Sequence, residues 1–530
     1  MTENTKTQGE INKRSEHSED IRLSNIRAAR AIADVMRTSL GPKGMDKLLE
    51  NDKGEVLITN DGATILKNLS VLHPTAKLLI QTSKSQDVEA GDGTTSVVIL
   101  AGALMSAAEQ LIEKGIHPTT ISEGFAYALT KSLDIINDVS LTVDLLNDEQ
   151  LLQCVKTSLA SKIVSQNSTE LAPIAVNAVK AVADFTKDTN VDLRDIKVVK
   201  KIGGTIDDIQ LVNGIVFPNN RPSHSAGGPS KMLKPKIALL QFCISSPKTD
   251  IENNVTVADY AQIDRILKEE RRYVLEIVKK IAASGANVVL IQKSILRDAV
   301  SELALHFLAK KKIMVVRDIE RTDVPFICKA LGCTPVAHID NLTAEKLGEA
   351  ELAEDHILSD GAKIFKIEVR SKATASILVR GSSQLVLDEA ERSIHDALCV
   401  VRCLVKNKGI VAGGGAIEIE VWRALESLAD SIDIGATSLV VRAFAEALEV
   451  IPFTLAENCG LSPVKIVTEM RHRHLNGHKF CGLKARTGQL VDNALEHKIM
   501  QPALVTISAL TLATEVTRMV LKIDDILDSR

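Results

Sequence analysis

Aromatic side chains are scarce in this chain of 530 residues: one Trp, three Tyr and ten Phe make up 3% of it. No run of them offers a platform on which bases would stack. An excess of basic charge is missing too, since 64 Lys and Arg face 68 Asp and Glu for a formal charge of −4. No nucleic-acid partner is expected, because holding a phosphate backbone needs clustered cations. The eight cysteines, at 154, 243, 328, 333, 399, 403, 459 and 481, lack the close paired spacing of a zinc ribbon or a secreted disulfide scaffold. They read as reduced, mostly buried thiols; Cys399 and Cys403 share a helix face, but no metal or redox role is expected of them. The longest uncharged stretch, Gly93 to Ala108, is short of the ~20 residues that span a bilayer, and the N-terminus has no apolar signal core. A cytosolic protein without a membrane partner is the expectation. Also absent are the Gly-x-x-x-x-Gly-Lys-Ser/Thr P-loop and the dinucleotide fingerprint.

What is present is material for large cores. The chain is 45% apolar and 25% charged, and its length allows roughly three domains at about 100 to 200 residues each. Residues 1–20 are polar and mixed in charge, and read as a disordered tail. From Leu23 the apolar positions Ile26, Ala29, Ile32, Ala33 and Met36 recur at helical spacing. Glu55 to Thr59 alternates like a short strand, an apolar helix starts at Ile65, helical sequence then continues to about Ala183 with a break at Gly115 to Pro118, and strands are expected between Val191 and Val216. Pro218 to Pro235, rich in Pro, Gly and Ser, reads as a crossing between domains. An alternating section follows, with strands at 237–244, 288–292 and 313–317 and helices at 259–283 and 295–311, which suggests a compact α/β domain. The helix from Asp259 carries many charges and a narrow apolar stripe, so part of it is a candidate to project from its domain. After a strand near Ile377, Leu387 to Lys406 is an amphipathic helix, then helices reach Leu475, Leu504 to Val520 forms another, and Ile523 to Leu527 is a candidate strand.

The chemistry concentrates in turns. Gly91-Asp92-Gly93-Thr94-Thr95-Ser96 opens an apolar helix, where glycines let the backbone approach a ligand, free amides and hydroxyls suit an anion, and an aspartate can hold a divalent cation against phosphate. Alone, the string is also ordinary turn and cap chemistry. Thr38-Ser39-Leu40-Gly41-Pro42-Lys43-Gly44 ends the first helix in a second loop able to cradle phosphate. Asn60-Asp61-Gly62-Ala63-Thr64 is either a hairpin turn or a third such loop. Their clustering within about sixty residues, each beside a helix, favours one phosphate site built from several loops. Val411-Ala412-Gly413-Gly414-Gly415-Ala416 makes another tight turn into a helix. Asp396 lies off the apolar stripe of its helix, and its structural alternative is an i,i+4 ion pair with Arg392.

Taken in order and spacing, Thr38 to Asp46, Asn60 to Leu66, Gly91 to Ser96, His395-Asp396-Ala397 and Gly413 to Ala416 resemble the nucleotide signature of the group II chaperonins, over nearly the whole chain after Ile21. The resemblance implies a multidomain α+β and α/β fold with three discontinuous parts. These are a helical equatorial ATP-binding domain (21–155 and 408–530), an intermediate hinge domain (156–221 and 374–407), and an α/β apical domain (222–373). The apical domain would bind substrate and carry a helical protrusion, the built-in lid, with Ser245 to Asp250 matching the loop before it. It further implies an ATPase with ATP/ADP and Mg²⁺. Leu40, Gly41, Pro42, Gly93, Thr94, Thr95 and Ser96 would contact nucleotide and phosphates, Asp92 the Mg²⁺, and Asp61 and Asp396 the attacking water. By the same resemblance Gly414 would touch the nucleotide, Glu496 the ribose, and Lys162 the γ-phosphate. Partners would be paralogous subunits in hetero-oligomeric stacked rings, unfolded clients of the actin and tubulin class, and prefoldin-type co-chaperones. Two other readings stand beside this one. A small-molecule kinase or stand-alone ATPase on the same loops is disfavoured by the missing P-loop. A scaffold that lost hydrolysis is disfavoured by Asp61, Asp92 and Asp396.

Overall fold

A computed structural model describes residues 21–525, apart from 51–53, 55, 146, 186–188, 220–221, 223–226, 246–256, 258, 295–297, 371–372 and 433–434. The expected tail at 1–20 and most of the Ser245 to Asp250 loop therefore lie outside the described residues. The chain divides into two compact units, Met1–Val176 with Asp388–Arg530, and Asn177–Leu387.

The first unit is mostly helical. Its core draws on the helix at 21–37, on Thr94–Glu113 and Pro118–Val139, and on the C-terminal helices Ala416–Ser431, Ala436–Leu448 and Ala503–Leu521. Thr94–Glu113 and Ala503–Leu521 are each long and apolar enough to cross a membrane by length and composition. They pack on one another inside the core, where an apolar helix with many buried positions belongs. Gly102 lets the helix at 21–37 approach Thr94–Glu113 closely, because a Cβ there would collide with Ala33. Pro118 starts its helix at the first turn, where its missing N–H costs nothing, and the His117 ring accepts the Thr119 N–H at 3.2 Å. Three small sheets complete the unit among the described residues: the pair Lys47–Glu50 with Val56–Thr59, then Met500–Pro502, Gly409–Ala412 and Leu141–Thr142 side by side, and the hairpin Gly482–Lys484 with Gln489–Val491.

The second unit holds the alternating section. Strands Lys236–Leu240, Val288–Gln292 and Met314–Ile319 lie parallel in one sheet, with Gly348–Glu349 added antiparallel at the edge. Both faces are buried, which is why these strands read as near-continuous apolar runs. Ala238, Leu240, Val289, Ile291 and Val315 join one core with helices Tyr260–Ala283 and Glu302–Lys310. Ile237, Leu239, Val288, Leu290, Met314 and Val316 join another with Val324–Leu331 and an antiparallel sheet ordered Gly214–Phe217, Lys363–Glu368, Leu352–Ile357, Lys231–Leu233. A third sheet sets Ala375–Gly381 between Ile196–Ile202 and Gln210–Val212.

Most of the expected helices and strands form, and several positions differ, among them Leu141–Thr142, which is a strand inside the stretch expected to be helical. Of the helix expected over 295–311, residues 295–297 lie outside the described residues and the helix starts at Glu302, ending at Lys310: Val300 is held in a bridge with Ile244, and the Ser301 hydroxyl caps Ala304 N–H at 3.3 Å. The strand expected over 237–244 ends at Leu240, where the backbone turns to bond Val336. Residues 523–525 are irregular rather than a strand, and 526–527 lie outside the described residues. Pro218 to Pro235 falls inside the second unit, and part of it, Lys231–Leu233, pairs as a strand with Leu352–Glu354. The helix Tyr260–Ala283 buries only Val274, Ile277, Val278 and Ile281, so its first half, with Tyr260, Ile263 and Leu267, is exposed.

Candidate functional site

The turns converge in the first unit on a cavity of about 550 Å³. Leu40, Gly41, Pro42, Asp92, Gly93, Thr95, Ser96 and Gly414 all line it. Local backbone chemistry explains why these positions are what they are. Gly41, Gly93 and Gly414 have φ of +85°, +79° and +70°, which L side chains rarely adopt. A Cβ at Gly41 would sit 2.5 Å from Leu455, and one at Gly414 2.5 Å from the Leu483 carbonyl, so space and conformation both demand glycine. Gly93 is the left-handed residue before the Thr94–Glu113 helix, and no side chain caps that helix start. The first-turn amides, which lack partners within the helix, are thus available to an anion. The Asp92 carboxylate accepts the Gly93 N–H at 2.8 Å.

The turns are braced by residues that sequence reasoning missed. Gln86, fully buried, donates to the Asp92 carbonyl at 2.9 Å and accepts from the Ser508 hydroxyl at 2.8 Å. Asn458 donates to the carbonyls of Arg37 at 3.0 Å and Leu40 at 2.8 Å, pinning the first loop. Arg402 donates to the Val88 and Glu89 carbonyls, and Gly91 leaves no room for a Cβ against Cys399. The only local signal for Gln86 and Asn458 is a polar residue on an otherwise buried helix face.

Asp61, Lys162 and Asp396 do not line the cavity but meet one another beside it. Lys162 Nζ lies 2.6 Å from Asp396 Oδ2, and both side chains are at most a tenth exposed. Asp61 caps the helix Gly62–Asn68, so the hairpin alternative for Asn60-Asp61-Gly62 is not what forms. One of its oxygens accepts from the Thr64 N–H at 2.9 Å and the Thr64 hydroxyl at 2.6 Å; the other accepts from the Thr94 hydroxyl at 3.1 Å. Thr94 stands between Gly93 and Thr95 and so joins the charged cluster to the cavity wall. Asn60 donates to the Ser161 carbonyl at 3.2 Å, and Ser161 itself lines the cavity. Arg392 pairs with Glu389 at 2.8 Å, which leaves Asp396 to Lys162 and replaces the i,i+4 pair considered from sequence.

The charge balance of the cluster is negative. Burial opposes a cationic Lys162, yet the Asp396 and Asp61 carboxylates outweigh it and hold the ammonium protonated, with its pKa raised. Burial likewise opposes an ionised Asp61, but Lys162 and the bonds from Thr64 and Thr94 keep its pKa below the ordinary carboxylate range. Asp396 differs: burial pushes it up to about 8, against the pull of Lys162 and with added repulsion from Asp61 and Asp92. Asp87 is raised as well, by burial and then by Asp61. Lys162 thus lies among the carboxylates of Asp61, Asp92 and Asp396. Among the described residues no group of three His, Cys, Asp or Glu side chains is arranged to hold a metal alone. Magnesium commonly takes one or two carboxylates with substrate phosphates and water, so Asp92 on a cavity wall fits that ion.

Glu418 was not anticipated. It lines the cavity from the first turn of the helix that follows the glycine turn, one of its oxygens has no hydrogen-bond partner, and burial raises its pKa to about 7. Glu496, expected at a ribose, is exposed, bonds Asn493 at 2.8 Å, and is not among the residues lining the cavity, whereas its neighbours His497 and Lys498 are.

Comparison with known proteins agrees with the sequence resemblance. A profile of the TCP-1/cpn60 chaperonin family matches residues 32–530. T-complex protein 1 subunit delta of Rattus norvegicus is 57% identical over 512 residues, covering 96% of this chain and 94% of the relative. The proteins of the same name from Schizosaccharomyces pombe and Arabidopsis thaliana are each 56% identical, covering 96% and 97% of this chain and 97% and 95% of theirs.

Proposed function

The chain belongs to the TCP-1/cpn60 chaperonin family, and from that premise we propose that it is an ATP-hydrolysing subunit of a cytosolic, hetero-oligomeric double-ring chaperonin. The observation that carries the hydrolytic reading is the buried Lys162–Asp396 pair, with Asp61 one hydroxyl away from the phosphate turn. Asp396 and Asp61 approach the cavity from separate chain segments, as two groups that orient one water molecule would.

In this reading the amides of Gly93 to Ser96 and the loop Leu40-Gly41-Pro42 hold the phosphates, and Gly414 borders the nucleoside. Asp92 is the residue that would hold Mg²⁺, whose bound charge offsets that of the phosphates. Asp61, held ionised by Lys162 and the two threonines, orients the attacking water. Asp396, whose pKa burial raises to about 8, accepts its proton when ionised. Lys162, released from Asp396 when a γ-phosphate arrives, pairs with that phosphate and so distinguishes ATP from ADP. Positioning and charge neutralisation dominate phosphoryl transfer, so these few groups suffice. The ribose role of Glu496 requires its loop to reorient, since the side chain is bonded to Asn493.

Coupling to protein folding follows from the wider architecture. We propose the equatorial, intermediate and apical division read from the sequence, with residues 156–221 and 374–407 as the hinge segments. Closure of Asp396 onto nucleotide would then accompany closure of a lid to which the exposed half of Tyr260–Ala283 belongs. Unfolded proteins of the actin and tubulin class, delivered by prefoldin-type co-chaperones, are the proposed cargo. The test is Asp396→Ala in the assembled particle. Turnover attributable to this chain should fall by at least ~100-fold while the ATP Kd changes by less than about threefold. Unchanged turnover refutes the assignment.

A further inference from the structure

The helix Gln384–Lys406 carries Asp396, and one of its neighbouring side chains also reaches the loop of Asp61. Glu389 lies seven residues before Asp396, two turns away on the same face, and is buried at 2% exposure. Its Oε2 accepts the Thr59 hydroxyl at 3.0 Å. That hydroxyl oxygen in turn accepts the backbone N–H of Asp61 at 3.2 Å. Arg392 holds Glu389 from one turn further along, through its Nε at 3.1 Å. Thr59, Asn60 and Asp61 are all buried, so the Asp61 amide has no water to turn to.

We infer that Glu389 is a positioning residue for Asp61, acting through the Thr59 hydroxyl, so that a single helix both supplies Asp396 and sets the backbone of its partner carboxylate. The inference rests on the reading above in which Asp61 orients the attacking water. A hydroxyl has one proton and rotates freely until an acceptor takes it. Glu389 takes it here and thereby turns the oxygen's acceptor side toward the Asp61 N–H. Asp61 is the cap of its helix, with φ −72° and ψ 124°, so its amide lies outside the helical bonding pattern and relies on this contact. A shift of this backbone moves both Asp61 oxygens relative to Thr94, and a misplacement of about 1 Å matters to a water aligned for attack. The linkage also accounts for a buried glutamate here: its Oε2 serves Thr59 and Arg392, from separate chain segments.

The experiment uses the assembled particle carrying variants of this chain, with the Asp61→Ala particle defining the turnover owed to the other subunits. Thr59→Val keeps shape and loses the hydroxyl; its share of turnover should drop about tenfold with the ATP KM within about twofold. Thr59→Ser restores the hydroxyl and should restore turnover. Glu389→Gln keeps an acceptor and should stay within about threefold of wild type, whereas Glu389→Met should match Thr59→Val, and the double variant should be no worse than either alone. Incorporation into the particle, checked by native mass, separates misfolding from misplacement, and the Thr59 variants carry the test if Glu389→Met fails to assemble. Wild-type turnover in Thr59→Val, or losses that multiply in the double variant, overturns the inference while leaving the Asp61 assignment standing. An Asp61→Ala particle that turns over like wild type overturns the hydrolytic reading, and this inference with it.

Discussion

The glycine-built wall of the cavity and the charged cluster joined to it by Thr94 hold their shapes by different means. In the wall, position is set locally: Gly41, Gly93 and Gly414 take left-handed backbone angles, and close neighbours such as Leu455 and Leu483 exclude any side chain. In the cluster, position is set at long range: Asp61, Lys162 and Asp396 come from three distant segments and are fixed by pairing and by hydroxyl bonds. The wall suits a task needing fixed amides, the holding of phosphate. The cluster suits a task needing charge that can be redistributed, because Lys162 has more carboxylates than it can neutralise. Binding and turnover should therefore be separable by mutation.

The largest effect beyond Asp396 itself is expected at Lys162. Lys162→Met leaves buried carboxylates without their cation, so turnover should fall ~100-fold, the preference for ATP over ADP should shrink, and stability should drop by ~2 kcal/mol. Rapid-quench hydrolysis and paired ATP and ADP titrations measure these, and an unaltered ATP-to-ADP preference would break the division of labour between the two regions. A smaller and opposite pattern is expected at the wall. Gly414→Ala meets both an unfavourable φ and the Leu483 carbonyl, so the ATP Kd should weaken about tenfold, while kcat at saturation stays within about threefold of wild type. Isothermal titration beside steady-state kinetics reads both numbers.

The smallest effect sharpens the comparison through pH. Glu418 has a folded pKa of about 7, above its ordinary 4.5, so the folded state keeps a proton that the unfolded state loses. Stability is thus lost as pH rises from about 4.5 through 7. Glu418→Gln removes that loss, and the variant should be more stable than wild type by ~1–2 kcal/mol at pH 8, with the gap closing toward pH 4.5. Denaturant melts of nucleotide-free protein at the two pH values measure it; a gap that widens on acidification would mean that Glu418 is held ionised.

The difference between the two regions also decides what could be read in advance. Turns announce themselves, since Gly91-Asp92-Gly93 and Gly413-Gly414-Gly415 need glycine for reasons that live within a few residues. The helices and the parallel strands at 288–292 and 314–319 were equally legible from apolar periodicity. Gln86, Asn458 and Glu389 were not, because a buried or half-buried polar residue on a helix looks like any surface residue until its distant partner is known. The structural alternative for Asp396 shows the same limit: spacing offers Arg392 at i−4, but the fold gives that aspartate to Lys162 and leaves Arg392 to Glu389. The short helix Glu302–Lys310 shows the converse case, where a tertiary bridge at Val300 overrides local pattern.

The most direct test of an ATP-driven chaperonin is made on the native particle. Its mass would be determined with and without ATP, and its protease sensitivity followed on adding a mimic of the γ-phosphate transition state. The expected result is a particle many times the 57.3 kDa of one chain, containing related subunits, in which residues 222–373 become protected when the mimic binds. A monomer that hydrolyses ATP without that protection would contradict it.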